Sequence, residues 1–107
     1  MPKIDYMKMI SIFSKTLNME TIDVKFINNS TDKLEITLGG EAKQERRFEL
    51  TLSDFSISLT FPVDFLSAKE FDTWHSIFEY EMEQAFLMNV GLHVEKDLSR
   101  YILKMKL

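Results

Sequence analysis

Apolar and polar residues alternate along the middle of the chain in four separate runs. In each run the apolar residues occupy every second position, which is the spacing of a β-strand with one buried and one exposed face. They are Ile22, Val24 and Phe26, then Leu34, Ile36 and Leu38, then Phe48, Leu50 and Leu52, and finally Phe55, Ile57, Leu59 and Phe61. The pattern therefore predicts four half-buried strands.

The segments between these runs favour turns. Residues 28–32 and 39–46 are rich in polar residues and glycine, and Ser53-Asp54 separates the last two runs. A two-residue loop there would pair Leu52 with Phe55 and keep both on the apolar face. These short connections predict a four-stranded antiparallel meander. Its other face is expected to be solvated or an interface, and it carries Lys25, Glu35, Arg47 and Glu49.

Helical spacing occurs before and after the strand region. From Asp5 to about Asn18 the apolar residues recur three or four positions apart, and Asp5 is a suitable N-cap. Pro62 is expected to end the fourth strand, and Ser67 with Glu70 then matches a capping box.

The second helix is predicted from about Ala68 to Asn89, with Gly91 as its stop signal. One side of this helix carries an apolar stripe that should face the sheet. The stripe consists of Phe71, Trp74, Phe78, Met82, Ala85 and Phe86.

The C-terminal segment fits two structures. With Asp97 as a cap, apolar residues at helical spacing predict a short helix, whereas alternation from Tyr101 to Leu107 predicts a strand. We favour the helix. The predicted fold is a single α+β domain over residues 1–107, with an N-terminal helix, a four-stranded antiparallel meander, a long acidic helix and a short C-terminal helix (or strand).

The composition narrows the possible functions. The 107 residues include no cysteine, which excludes disulfides, thiolate metal sites and a cysteine nucleophile. No run approaches the ~20 apolar residues of a membrane span, and the first residues lack the apolar core of a signal peptide. We therefore expect a cytoplasmic protein with no membrane partner.

Catalytic motifs are not recognisable in the sequence. His75 and His93 are the two histidines, and neither has a zinc-binding spacing such as HExxH. Gly39-Gly40 lacks the lysine of a phosphate-binding loop, and no serine lies in a GxSxG motif. We expect no enzymatic activity, no metal and no cofactor, and an enzyme or metal-binding protein is the weakest alternative.

Negative charge is concentrated in one segment. The chain has a net charge of −4, and six acidic residues lie between Asp64 and Glu83 against one basic residue, Lys69. Direct binding of nucleic acid is not expected, because phosphate backbones are normally bound by clustered Lys and Arg. The basic residues near Arg46 and at the C-terminus are expected to be solvated.

The long helix carries the candidate site. Asp72, Glu79 and Glu83 should form an acidic ridge beside the apolar stripe, while a second apolar patch lies on the far side. That patch consists of Ile77, Tyr80, Leu87 and Met88. Two interpretations remain open: the C-terminal segment covers Ile77 and Met88 while the acids are solvated, or the patch and the acids contact another protein. The candidate protein-binding residues are Asp72, Ile77, Glu79, Tyr80 and Glu83.

These features favour a small acidic, non-enzymatic regulator or inhibitor that binds a protein partner. Its acidic ridge would block a basic surface, for which a nucleic-acid-handling enzyme is a natural candidate. The size and charge are typical of inhibitors encoded by phages and other mobile elements. The alternative is a structural or assembly protein that self-associates, for instance as a homodimer, through the far patch or a sheet edge.

Overall fold

The computed structural model describes residues 5–41, 43–53 and 56–106, and of Lys43 it describes the backbone alone. Within these residues two α-helices pack on one face of an antiparallel sheet, which confirms the α+β class. The helices are α1 (Tyr6–Thr16) and α2 (Ala68–Phe86). The strands are β1 (Glu20–Phe26), β2 (Lys33–Gly40), β3 (Lys43–Leu52), β4 (Ser56–Pro62), β5 (His93–Lys96) and β6 (Arg100–Lys106).

The sheet is larger than the predicted meander. Its strand order is β1-β2-β3-β4-β6-β5, so the described segments contribute six strands and the prediction of four is wrong. β6 pairs along the whole of β4, from Ser56 opposite Lys106 to Pro62 opposite Arg100. β5 pairs with the outer side of β6. The two edges of the sheet are therefore β1 and β5.

The C-terminal segment is a strand, so the preferred prediction of a short helix is also wrong. Asp97 caps no helix: its Oδ1 accepts hydrogen bonds from the backbone N–H groups of Ser99 (2.8 Å) and Arg100 (2.9 Å). These bonds close the turn between β5 and β6. An aspartate can support a helix start or a turn with similar bonds, so its presence did not distinguish the two structures.

Burial along this segment follows the strand pattern. Tyr101, Leu103 and Met105 are buried, whereas Leu98, which a helix would have placed on its apolar side, is fully exposed. The alternation of apolar and polar residues in the C-terminal segment therefore indicated its structure correctly, whereas the helical spacing did not.

Phe13 of α1 lies at the centre of the core. Its ring centroid is 4.1 Å from that of Phe48 in β3, and 5.1 and 5.5 Å from those of Trp74 and Phe78 in α2. The Trp74 indole N–H donates to the Thr16 hydroxyl over 2.9 Å, which satisfies the one polar atom of a buried ring. A single side chain of α1 thus contacts both the sheet and α2.

The connections differ in detail from the prediction. β2 and β3 continue into the predicted 39–46 turn, so that Leu38 pairs with Arg46. Leu52 pairs with Ile57. The predicted two-residue loop and its partner Phe55 involve positions 54 and 55, which lie outside the described residues.

Strand β1 is the least covered of the predicted strands. Val24 is partly buried, but Ile22 and Phe26 are exposed. The expectation that all four runs are half-buried therefore fails at β1, because an edge strand has a neighbour on one side only.

A β-bulge at Ile22 also changes the direction of its side chain. The register between β1 and β2 shifts between Thr21 and Asp23, which inserts one extra residue. The Ile22 side chain occupies the space that a Cβ on Gly39 would need. Since Gly39 follows the inward-facing Leu38, Ile22 lies on the face away from the helices, opposite to its predicted side.

We expect Phe13→Ala to destabilise the fold by about 3–5 kcal/mol, because it removes the ring that joins the helices to the sheet. Urea denaturation followed by circular dichroism measures this loss. Leu98→Ala is the control, with an expected change within about 0.5 kcal/mol at a fully exposed position. A loss near that of the control would contradict the central position of Phe13.

The turn at Asp97 should titrate at unusually low pH. Hydrogen bonds from the Ser99 backbone and hydroxyl, then from Arg100, lower the pKa of the Asp97 carboxyl to about 2. A pKa below the unfolded value means that the carboxylate stabilises the fold above about pH 4 and loses this effect as pH falls towards 2. We expect the stability difference between the parent and Asp97→Asn to shrink over that interval. An NMR titration of Asp97 with a midpoint near pH 4 would disprove the assignment.

Candidate functional site

Helix α2 is held in a defined rotation by its cap and its buried stripe. The Ser67 hydroxyl accepts from the Glu70 N–H, and the Glu70 carboxylate accepts from the Ser67 N–H, each over 3.1 Å, which confirms the capping box. The bond from the Ser67 backbone is the main cause of a lowered pKa at Glu70. The buried side chains of the helix are Phe71, Trp74, Phe78 and Met82. These contacts determine which residues face solvent.

The three predicted acids lie on one flank of α2. At 3.6 residues per turn, Asp72, Glu79 and Glu83 project within about 40° of one another. Asp72 is exposed and the other two are partly exposed. Glu83 accepts a hydrogen bond from the Val90 N–H over 3.3 Å, so it also ties the end of the helix to the following segment. Within the part of the chain that the structure describes, Asp72 and Glu79 have no hydrogen-bond or ion-pair partner.

Tyr80 lies beside this acidic flank, on the side of α2 that points away from the sheet. It is 59% exposed, and Leu87, seven positions later and thus on the same side, is 89% exposed. The tail does not cover this surface, because β6 lies within the sheet. The alternative that the tail covers Ile77 and Met88 is also wrong, because these side chains are 47% and 39% exposed. We call Asp72, Glu79, Tyr80, Glu83 and Leu87 the acidic ridge surface.

Ile77 is separated from the three acids of the acidic ridge surface. It projects about 160° away from Glu79 around the helix axis. There it lines a groove between the two helices with Ile12 and Thr16 of α1, and it is 47% exposed. Of the five predicted residues, the three acids share one flank and Ile77 lies on the opposite flank. Tyr80 lies between them, about 60° from both Glu83 and Ile77.

Leu87 was absent from the predicted site residues. The helix ends at Phe86, before the predicted Asn89, and Leu87 has the left-handed conformation with φ 54°. Its spacing from Tyr80 is the sequence signal that could have included it.

The expectation that the basic residues near Arg46 are solvated is wrong for Arg46 itself, which is partly buried. Arg46 faces the helices, donates to the Phe65 carbonyl and lies over the Phe65 ring, whereas Arg47 faces the other side of the sheet. Lys104 is 3.2 Å from Glu95 and Arg100 is 3.4 Å from Asp97. Arg46 and Arg47 are separated because adjacent residues of a strand point to opposite faces, whereas Arg100 and Lys104, an even number of positions apart in β6, share one face.

The histidines have local contacts. His75 Nδ1 lies 3.0 Å from the Phe71 carbonyl oxygen, and the two rings stack. His93 Nε2 lies 3.7 Å from the Glu95 carboxylate. Among the residues with described positions, no cluster of three potential metal ligands occurs. Neither described helix is long and apolar enough to cross a membrane.

Comparisons with known protein families, curated proteins and solved structures gave no match. The acidic ridge surface and the sheet edges are therefore the basis for inferring function.

We expect Leu87→Gly to stabilise the protein by about 0.5–1 kcal/mol, because a Cβ is unfavourable in the left-handed conformation. Thermal and urea unfolding measure the gain. Leu87→Ala removes almost the same exposed side chain but keeps the Cβ, so it should give no comparable gain. Equal effects of the two variants would show that the backbone conformation is not the cause.

Proposed function

We propose that this protein is a small, non-enzymatic protein-binding module that regulates or inhibits its partner through the acidic ridge surface. The observation that carries the proposal is the exposure of Tyr80 and Leu87 at the end of the acidic flank of α2, where Glu83 is one helical turn from each of them. Exposed apolar side chains bordered by polar ones are typical of a protein interface, with an apolar centre and a charged rim.

The contacts that hold α2 in place favour binding through the acidic ridge surface. α2 is capped at its start, and its buried face packs against Phe13 and the sheet. A helix held in this way presents its outer side chains without a large ordering cost on association. Tyr80 adds an aromatic group, which is a residue type enriched at the energetic centres of interfaces.

The partner that best fits these charges has a basic surface. Carboxylates on a fixed helix would attract such a surface over a distance of roughly 10 Å at moderate salt and increase the association rate. The positive groove of a nucleic-acid-handling enzyme is one such surface, and occupying it would inhibit the enzyme without direct contact between this protein and nucleic acid. A cytoplasmic inhibitor encoded by a phage or another mobile element fits this activity.

The test compares a ridge variant with a matched control. The ridge variant is Asp72→Lys with Glu79→Lys, because neither acid has a hydrogen-bond or ion-pair partner among the described residues. Glu83 is left unchanged, since its bond to Val90 is structural. The control, Asp64→Lys with Glu81→Lys, makes the same charge change at exposed positions outside the ridge.

We expect the parent and the control to capture the same basic protein from an extract of the source cells, and the ridge variant to lose it. With the purified partner, titration calorimetry should show an affinity at least roughly tenfold weaker for the ridge variant than for the parent. Added salt should weaken the parent complex more than the complex of the ridge variant. Duplex DNA should compete with the parent for the partner but should not bind the parent itself. Equal affinity of the ridge variant and the control would refute the proposed surface.

A further inference from the structure

The two edges of the sheet differ in length and chemistry. β5 has four residues, and three of them, His93, Glu95 and Lys96, are polar and exposed. Short, charged edge strands are a common protection against pairing with another chain. β1 has seven residues and carries the exposed Phe26 and the half-exposed Val24 on the helix side of the sheet. The β1 edge therefore offers a longer strand with more exposed apolar side chains than the β5 edge.

Charges on β1 make it complementary to a second copy of itself. Asp23 and Lys25 flank Val24, and both project from the face away from the helices, because Val24 pairs with the buried Ile36. In an antiparallel pair of two β1 strands with a twofold axis at Val24, Asp23 of each copy lies opposite Lys25 of the other. Opposite charges directly across a ladder stabilise it.

Neighbouring symmetric registers lack this complementarity. An axis at Asp23 would place two aspartates opposite each other, and an axis at Lys25 would place two lysines opposite each other. Like charges directly opposite destabilise a strand pair. The sequence of β1 thus favours one symmetric register.

We propose that the β1 edge is a homodimer interface, in which two copies pair antiparallel about Val24 and form one continuous sheet. Such an interface is isologous, as twofold dimers require. Val24 meets its own copy on the helix side, and Phe26 flanks this contact. The bulge at Ile22 limits regular pairing to residues 23–25 of each copy, because Phe26 would lie opposite Ile22.

The charged side chains have room for these contacts. The Lys25 ammonium already lies 3.6 Å from the Glu35 carboxylate of β2, but its side chain remains 62% exposed. In the dimer it would lie between Glu35 of its own copy and Asp23 of the other. Within the described residues Asp23 has no ion pair, so the dimer would supply its first one.

Two single charge reversals test the register. In a homodimer, Asp23→Lys places the new lysine opposite Lys25 twice, and Lys25→Asp places the new aspartate opposite Asp23 twice. Sedimentation equilibrium over a range of concentrations should show a parent dimer, and each variant should dissociate at least roughly tenfold more readily. Lys106→Asp, the same charge change at an exposed position of β6, should leave the dimer unchanged. Circular dichroism verifies that every variant is folded.

Mixing the two variants separates the interface from a loss of stability. In a heterodimer of Asp23→Lys with Lys25→Asp, neither of the two opposed pairs joins like charges. One strand then carries two lysines and the other two aspartates, and each lysine faces an aspartate across the ladder. Native mass spectrometry should therefore show the mixed dimer in excess of both homodimers.

Three results would overturn the proposal. The first is a parent that is monomeric at all concentrations. The second is a parent dimer that both reversals leave intact, and the third is a pair of variants that form no mixed dimer.

Discussion

The packing of Phe13 between Phe48 of the sheet and Trp74 and Phe78 of α2 determines how both helices lie on the sheet. Because one ring fills the space between three elements, α2 cannot rotate without losing the contact. The exposed side of α2 is thus a consequence of its buried side. The acidic ridge surface depends on this constraint although none of its residues contacts Phe13.

The outer side of α2 is exposed also because the C-terminal segment forms a strand of the sheet. β6 lies between β4 and β5, and its inward residues Leu103 and Met105 complete the core beneath the helices. Had the same segment formed a helix over α2, Tyr80 and Leu87 would have been available for internal packing. Pairing in the sheet satisfies the backbone of the tail and leaves that side of α2 to the solvent.

The two proposed surfaces lie on different sides of the molecule. α1 shares one groove with α2, at Ile77, and another with the start of β1, at Thr21. α1 therefore separates the β1 edge from α2, and the acids lie on the flank of α2 that faces away from α1. A dimer formed through β1 would leave both acidic ridge surfaces accessible to partners, so that self-association and partner binding are compatible.

The sequence by itself determined the features that depend on near neighbours: the Asp5 and Ser67 caps, the buried stripe of α2, and the acids that share one of its flanks. Helical spacing defines relative directions around one helix, which is why three acids were placed correctly together. The tertiary structure alone decided that β1 is an edge, that the tail enters the sheet, and that Ile77 faces α1. Alternation indicates a buried face but does not name the neighbouring strand, and Asp97 forms similar bonds in a turn or a helix cap. Those outcomes depend on contacts between distant segments, which local spacing does not specify.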